Sequence, residues 1–259
     1  MELSALTVFP IKSLAGIPVD RAEVRLAGFR HDRRWMLVDG NDRFLTQRQL
    51  PQMALAKVAF EGAGYRIDNG SDALWIPETH DGPARQVTIW RSEVPAAEFE
   101  PGHAFFRSWL GRDDVRLVHL SERVHRSTNR GLESDQVSFA DGYPYLLIGQ
   151  SSLDDLNTKL DTPVPMGRFR PNLVVRGALP YAEDDWSTIQ IGDLRFRNVK
   201  PCERCVMTTI DLKTATKGKE PLRTLATYRR RDGKVLFGVN LCPDGVGELQ
   251  LGAAVRAQP

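Results

Sequence analysis

The stretch from Thr188 to Asp211, "TIQIGDLRFRNVKPCERCVMTTID", places two β-favouring runs on either side of a Cys-x-x-Cys pair. Alternating apolar and polar residues in the first run, and β-branched residues after the pair in the second, predict strands. Similar short runs fill the first hundred residues, among them "LSALTVFPI", "AEVRLAG", "RRWMLVD" and "QVTIW", with Gly, Pro, Asn and Asp between them. The chain is therefore predicted to be β-rich, with sheet or barrel-like units.

Helical spacing of apolar residues predicts a few helices among these strands. The three segments are "GHAFFRSWLG" from Gly102 to Gly111, "SSLDDLNTKL" with Ser151 as its N-cap, and "PLRTLATYRR" with Pro221 as its first helical residue. The polar run from Ser121 to Gly142 predicts a long loop, which we place beside the substrate opening. We predict a mixed α+β, β-rich fold with a domain boundary near residue 100, which gives units 1–100 and 101–259.

Composition narrows the classes of function. The 259 residues carry 35 Lys and Arg against 33 Asp and Glu, a net charge of +2 that argues against nucleic acid or an anionic membrane as a partner. The N-terminus lacks the features of a signal peptide, and no apolar window is long enough to span a membrane. Three cysteines cannot form a disulfide framework. We expect a cytoplasmic protein whose thiols are reduced.

The pair Cys202 and Cys205 admits several kinds of site. A structural zinc needs four ligands, but only Cys242 remains and all five histidines lie upstream. A thioredoxin-type pair begins a helix, whereas the residues after Cys205 favour a strand, so we expect the pair at a strand edge or turn. An iron–sulfur cluster needs four cysteines. Two readings remain: inert thiols, or a single thiolate that binds a soft metal whose other ligands come from a cofactor.

A cofactor of that kind needs anchors, and three motifs offer them. They are "FPIKS" with Lys12 and Ser13, "HDRRW" with Arg33 and Arg34, and "FRPN" with Arg170 and Asn172. Arg and Lys in polar turns are usually solvated, so none of the three indicates a ligand site by itself. Cations from both halves of the chain would suit an anionic cofactor bound between them.

The order and spacing of "FPIKS", "RFRPNLVV", "YAEDDW" and "CERCVMTTID" resemble the MOSC-domain proteins that also carry an N-terminal MOSC β-barrel domain, such as the mitochondrial amidoxime reducing component and its bacterial relatives. The resemblance runs from about Leu3 to Leu251. It implies that residues 1–100 form the N-terminal β-barrel domain, packed on a C-terminal MOSC β-barrel domain over residues 101–259.

That family binds the molybdenum cofactor, and the resemblance implies Cys205 as the molybdenum ligand and catalytic residue, with Cys202 as a neighbour. The cofactor-binding residues implied by matching positions are Lys12, Ser13, Arg33, Arg170, Asn172, Glu203, Arg204 and Cys205. Gly142 and Tyr143 stand where relatives can carry small hydroxyl residues, so no contact is assigned to them. Pyridoxal phosphate binding is a further implication at the level of the family.

The implied activity is the reduction of small N-hydroxylated compounds such as amidoximes and N-hydroxylated bases. Electrons are expected from a separate protein, a flavin reductase with a ferredoxin-like or haem carrier, because no dinucleotide fingerprint is found and no further cysteines follow Cys242. Two alternatives stay open. One is a molybdenum cofactor carrier or sulfur-transfer protein without turnover of its own, and the other is a metal-free protein that uses Cys202 and Cys205 as a reversible disulfide.

Overall fold

A computed structural model describes residues 1–124, 126–128 and 130–259. The first half of the chain contains strands β1 (Glu2–Val8), β2 (Ile17–Val19), β3 (Arg21–Arg25), β4 (Gly28–Phe29), β5 (Trp35–Val38), β6 (Lys57–Glu61), β7 (Gly64–Asp68), β8 (Ala73–Pro77), β9 (Ala84–Ile89), β10 (Ser92–Glu98) and β11 (Arg116–His119). The second half contains β12 (Arg126–Ser127), β13 (Gln136–Val137), β14 (Tyr145–Gly149), β15 (Leu173–Arg176), β16 (Thr188–Ile191), β17 (Leu194–Glu203), β18 (Arg230–Arg231), β19 (Lys234–Pro243), β20 (Gly247–Gln250) and β21 (Val255–Gln258).

The helices are α1 (His103–Leu110), α2 (Gln150–Asn157) and α3 (Leu222–Tyr228), with 3-10 turns at Pro51–Leu55, Glu100–Gly102, Met166–Arg168, Ala182–Asp185 and Val206–Thr209. The mixed, β-rich fold class with few helices is thereby confirmed. Among the described residues, no helix is both long and apolar enough to cross a membrane.

The largest sheet has the order β2-β1-β15-β14-β19-β17-β16-β21, with β18 paired to β19. Its two ends approach each other, because the Leu3 amide donates to the Ala253 carbonyl at 2.9 Å and the Val255 amide to the Met1 carbonyl at 2.9 Å. The sheet is thus rolled into a barrel-like form. The apolar side chains inside it come from both halves of the chain, including Leu3, Leu6 and Val8 from β1.

Two smaller sheets in the first half have the orders β5-β11-β10-β9 and β6-β7-β8. Another small sheet has the order β20-β3-β4. A second core of buried side chains packs between these strands and α1. Strands β1 and β3 pair with β15 and β20 from the C-terminal half, and β10 pairs with β11 across residue 100. The division into 1–100 and 101–259 stays a prediction.

The helix predictions had mixed outcomes. Helix α1 ends at Gly111, whose φ of 64° is the left-handed conformation that glycine adopts readily. Helix α2 is confirmed, but its N-cap is Gly149, so the prediction of Ser151 as N-cap is wrong. The acceptor comes from far along the chain: the buried Glu183 carboxylate accepts the Gly149 amide at 3.0 Å and the Ser152 hydroxyl at 2.8 Å. Pro221 is the N-cap of α3 rather than its first helical residue.

The prediction of a strand after Cys205 is wrong, because Val206–Thr209 forms a 3-10 turn. The hydroxyl of Thr208 donates to the Cys205 carbonyl at 3.0 Å, and that of Thr209 to the Val206 carbonyl at 2.8 Å. Such local bonds give the backbone an alternative to a sheet ladder. The cysteine pair lies, as expected, at a strand end, since β17 finishes at Glu203. The predicted loop at 121–142 contains β12 and β13, and its residues 125 and 129 lie outside the described ones.

Candidate functional site

A cleft lies where five connections of the fold meet. They follow β1, β4 and β17 and precede β14 and β15, and the empty space between them is about 790 Å³, part of it open to solvent. The eight residues predicted from the sequence all line it: Lys12, Ser13, Arg33, Arg170, Asn172, Glu203, Arg204 and Cys205. Residues more than 190 positions apart in the chain therefore meet at one site.

Three of these residues have an uncommon backbone conformation. Ser13, Arg33 and Arg170 have φ values of 67°, 50° and 57°, in the left-handed region that side chains with a Cβ seldom adopt. Such conformations persist only where the surroundings hold them, and they cluster at functional sites. The surrounding structure therefore holds these three turns, and with them the directions of their side chains.

The guanidinium groups of Arg33 and Arg170 share the ring of Phe9, with their central carbons 4.5 and 4.3 Å from its centroid. Arg33 Nη1 donates to Asp32 at 2.6 Å and to Asn172 at 3.0 Å, and Arg170 Nη1 donates to the Leu14 carbonyl at 2.5 Å. Burial lowers the pKa of Arg170 to about 9, and the neighbouring Arg33 charge adds to that effect. The two cations lie side by side, an arrangement that favours an anion.

Asn172 lines the cleft, but its side chain is engaged by neighbouring residues. Its side-chain Nδ2 donates to the Thr7 carbonyl at 3.1 Å and to Asp32 Oδ1 at 3.0 Å, and its backbone amide donates to the Leu146 carbonyl at 2.9 Å. Asp32 is itself buried and also accepts the Phe9 amide at 2.8 Å. This pair joins the turn after β4 to the starts of β14 and β15.

Lys12 is buried, with its ammonium in an ion pair with Asp141 and a 2.8 Å bond to the Phe139 carbonyl. Burial lowers the pKa of Lys12 to about 8, against the opposing effect of the Asp141 charge. The Asp141 carboxylate is half exposed and also accepts from Arg48 and the Trp90 indole, each at 3.2 Å. Although burial would raise the pKa of Asp141, the Lys12 charge holds it below its usual value.

The two cysteines at the end of β17 differ in their surroundings. Cys205 is exposed, and its carbonyl begins the 3-10 turn. Cys202 is half-buried, and its Sγ accepts from Arg204 Nη1 at 2.9 Å. Both thiols are free. The Glu203 carboxylate pairs with Lys200 and, at 2.7 Å, with Lys234, so its charge is used outside the cleft.

Several guanidinium N–H groups in the cleft are buried without a hydrogen-bond partner among the described residues. They are Arg168 Nε, Arg170 Nη2 and Arg204 Nε, and the buried Tyr143 hydroxyl is also unpartnered. A buried donor without an acceptor is costly, so each of these groups favours an acceptor that enters the cleft from outside. Three charged donors around one space fit an anionic group that carries several oxygens, as a phosphate does.

Arg168, Asp141 and Tyr143 are among the lining residues that were not predicted from the sequence. Arg168 lies two positions before Arg170 in "GRFRPN", so its position beside a predicted residue was a sequence signal for it. Asp141 and Tyr143 lie in "DGYPYL", a stretch to which no contact is assigned because it departs from the family's pattern. Within the described residues, no group of three or more His, Cys, Asp and Glu side chains gathers as metal ligands. Cys205 would need its co-ligands from a bound group.

Comparison with known proteins identifies the relatives of this chain. The family model "MOSC N-terminal beta barrel domain" matches residues 1–113, and "MOSC domain" matches residues 134–256. "Mitochondrial amidoxime-reducing component 1" from Mus musculus is 31% identical over 98% of this chain and 81% of that protein, and the Homo sapiens protein of the same name is 31% identical over 98% and 82%. "Molybdenum cofactor sulfurase" from Arabidopsis thaliana is 33% identical over 95% of this chain and 34% of that protein.

Proposed function

We propose, from the premise that this chain belongs to the MOSC-domain family with an N-terminal MOSC β-barrel domain, that it is a molybdenum-cofactor-dependent reductase of N-hydroxylated compounds. Membership of that family gives it a function related to the molybdenum cofactor. The reductase activity is supported by the full-length similarity to amidoxime-reducing components, of which the chain spans about four fifths.

The observation that carries the proposal is the set of buried guanidinium N–H groups that have no hydrogen-bond partner among the described residues, beside an exposed thiol. Arg168, Arg170 and Arg204 offer N–H groups to an anion, and Cys205 offers a sulfur ligand at the same cleft. A molybdopterin with its phosphate and its metal has both an anionic end and a soft centre, so the residues present fit that group. When bound, the cofactor would supply the two-electron redox chemistry.

The residues of the chain would then bind and orient. Arg170 and Arg168 would hold the phosphate, Lys12 would add a positive charge from its buried pair with Asp141, and Cys205 would ligate the metal. Asn172 would position Arg33 rather than touch the cofactor, since its Oδ1 accepts from that guanidinium at 3.0 Å. We assign Glu203 a backbone contact only, because its carboxylate is paired with two lysines.

The overall reaction needs two electrons and two protons for each substrate. The N–O bond of an R₂N–OH group breaks, one proton goes to the nitrogen, which becomes N–H, and the other goes to the oxygen, which leaves as water. The electrons would come from a separate protein, a flavin reductase with an iron–sulfur or haem carrier. Pyridoxal phosphate is not part of this proposal, because Lys12, the lysine that lines the described cleft, is held by Asp141 and the Phe139 carbonyl. A cytoplasmic location stays a prediction; the two amidoxime-reducing components named above are mitochondrial by name.

The second candidate is a carrier of the molybdenum cofactor. It is favoured by the 33% identity to a molybdenum cofactor sulfurase, of which this chain covers 34%. A protein that binds molybdenum yet reduces no amidoxime with any electron donor would be of this kind.

The test is to produce the protein in cells that make the cofactor and to measure bound molybdenum by mass spectrometry. We expect near-stoichiometric metal in the wild type, its loss or altered coordination in Cys205→Ser, and retention in Cys202→Ser, because only Cys205 is exposed to the cleft without a guanidinium on its sulfur. Amidoxime reduction, driven by reduced methyl viologen, should follow the metal content. Complete loss of amidoxime reduction in both Cys205→Ser and Cys202→Ser would instead support a mechanism that uses both thiols.

A further inference from the structure

The charge of this protein is unevenly distributed. Between Lys200 and Lys234 the sequence carries ten Lys and Arg against four Asp and Glu, a net charge of +6, whereas the whole chain carries only +2. All other residues together are therefore negative, at 25 cations against 29 carboxylates. The positive segment begins with the cysteine pair.

Within this segment, the basic loop, defined here as residues 211–220, folds back beside Cys205. The Gly218 amide donates to the Thr209 carbonyl at 3.0 Å, and Ile210 and Lys217 form an antiparallel bridge, so the loop runs along the 3-10 turn that Cys205 begins. Lys217 Nζ donates to the Arg48 carbonyl at 2.9 Å, which brings the loop to the rim of the cleft on its N-terminal side.

The basic loop presents charges that are not neutralised. Lys213, Lys217 and Lys219 are exposed. Its carboxylates are already occupied, since Asp211 pairs with Arg168 at 2.7 Å and Glu220 with Arg223 at 2.6 Å. None of the ion pairs found among the described residues includes the three lysines. Beside them, Cys205 and Val206 are exposed, with 51% of Val206 accessible, so the thiol lies open on a positive surface.

We propose that the basic loop is the docking surface for an acidic one-electron carrier protein, which delivers electrons to the centre at Cys205. This inference rests on the proposed function. Each turnover takes up two electrons and two protons and releases one water, so a one-electron carrier must bind and leave twice for each product. A small charged contact suits such rapid exchange, because complementary charges raise the rate of encounter without a large buried area.

The test uses a plant-type ferredoxin as the acidic carrier and measures its binding to the cofactor-loaded protein by calorimetry at low and high salt. We expect binding that weakens with salt and that becomes about tenfold weaker or more in Lys213→Gln/Lys217→Gln/Lys219→Gln, since exposed charges act through screened attraction. The matched control is Lys57→Gln/Arg66→Gln/Arg256→Gln, which removes three exposed cations that do not line the cleft and leaves binding unchanged.

Turnover measurements distinguish a failure of the docking proposal from a failure of the proposed function. With ferredoxin as donor, the lysine variant should need a higher donor concentration for half-maximal rate, while its rate with reduced methyl viologen stays that of the wild type. If viologen drives turnover but the lysine variant and the control variant bind ferredoxin as tightly as the wild type, the basic loop is not the docking surface. The proposal of reductase activity then still stands. If viologen drives no turnover, the reductase itself is wrong, and the binding data still test the surface. Tighter, lysine-dependent binding of duplex DNA or of anionic vesicles would overturn the assignment to a carrier protein.

Discussion

At the scale of single residues, the cleft is an arrangement of cations held in place by buried partners. Arg33 and Arg170 lie against Phe9, while Asp32 and Asn172 are buried and fully hydrogen-bonded. Preorganised donors of this kind bind an anion without the cost of ordering side chains at the moment of binding. The positions of these cations therefore depend on their buried partners Asp32 and Asn172.

The charge on Lys12 should make the binding of an anionic cofactor depend on pH. Its pKa is lowered to about 8 by burial, so the free protein loses this charge as the pH rises through that value. An anionic cofactor binds the protonated form better, and so its retention should fall above pH 8, by up to about tenfold per pH unit for a single linked proton. Molybdenum retained after dialysis between pH 7 and 9.5 measures this.

Lys12→Met serves as the control for that experiment. It should retain less cofactor at pH 7 and lack the fall that begins near pH 8, so that only a fall from Arg170, whose pKa is about 9, remains at higher pH. A wild-type profile with the same shape as that of Lys12→Met would show that the Lys12 charge does not contribute to binding.

At the scale of elements, the motif "YAEDDW" is structural. Glu183 is fully buried and caps α2 from 31 residues away through Ser152, whose hydroxyl also accepts the Tyr181 amide at 2.8 Å. Burial raises the pKa of Glu183. The next residue, Asp184, pairs with the buried Arg229 after α3. The motif thus ties two helices to the sheet rather than contributing to the cleft.

We expect Glu183→Ala to lower the free energy of unfolding by about 2–3 kcal/mol, because it leaves the Gly149 amide and the Ser152 hydroxyl buried without an acceptor. Denaturation in urea measures the change. Asp154→Ala, an exposed substitution on α2 itself, should cost about 0.5 kcal/mol or less. A similar loss in both variants would mean that the cap from Glu183 contributes nothing particular to α2.

At the scale of the whole molecule, the core of the large sheet is built from both the N-terminal and the C-terminal half of the chain. Strand β1 pairs with β15 and supplies Leu3, Leu6 and Val8 to the core of the large sheet. The cleft is built in the same way, since Lys12 and Arg33 come from one half and Arg170 and Cys205 from the other.

A fragment of residues 101–259 is therefore expected not to fold cooperatively by itself. It would expose the edge of β15 and lose part of its apolar core, and an unpaired edge promotes aggregation. Circular dichroism during urea titration, with the full chain as reference, measures this. A sharp unfolding transition in the fragment would show instead that residue 100 separates two independent domains.

The sequence by itself determined the β-rich class, the positions of the three helices in outline, and the family, because periodicity and motif order are local properties of the chain. It also identified eight residues of the cleft, though only through the resemblance. It failed at α2, where the distant Glu183 is the cap in place of Ser151. It also failed after Cys205, where local hydroxyl bonds of Thr208 and Thr209 accompany a 3-10 turn although β-branched residues favoured a strand.

Only the tertiary structure decided which polar side chains of the cleft are engaged by neighbours and which have an N–H group without a described partner. Glu203 and Asn172 line the cleft but are engaged by neighbours, whereas Arg168, which sequence reasoning passed over, has a buried N–H without a described partner. The basic loop likewise carries three lysines in any conformation, but its position beside Cys205 depends on backbone bonds to Thr209 and on the contact with Arg48. Burial and pairing are properties of the folded chain, and they determine which charges remain available for binding.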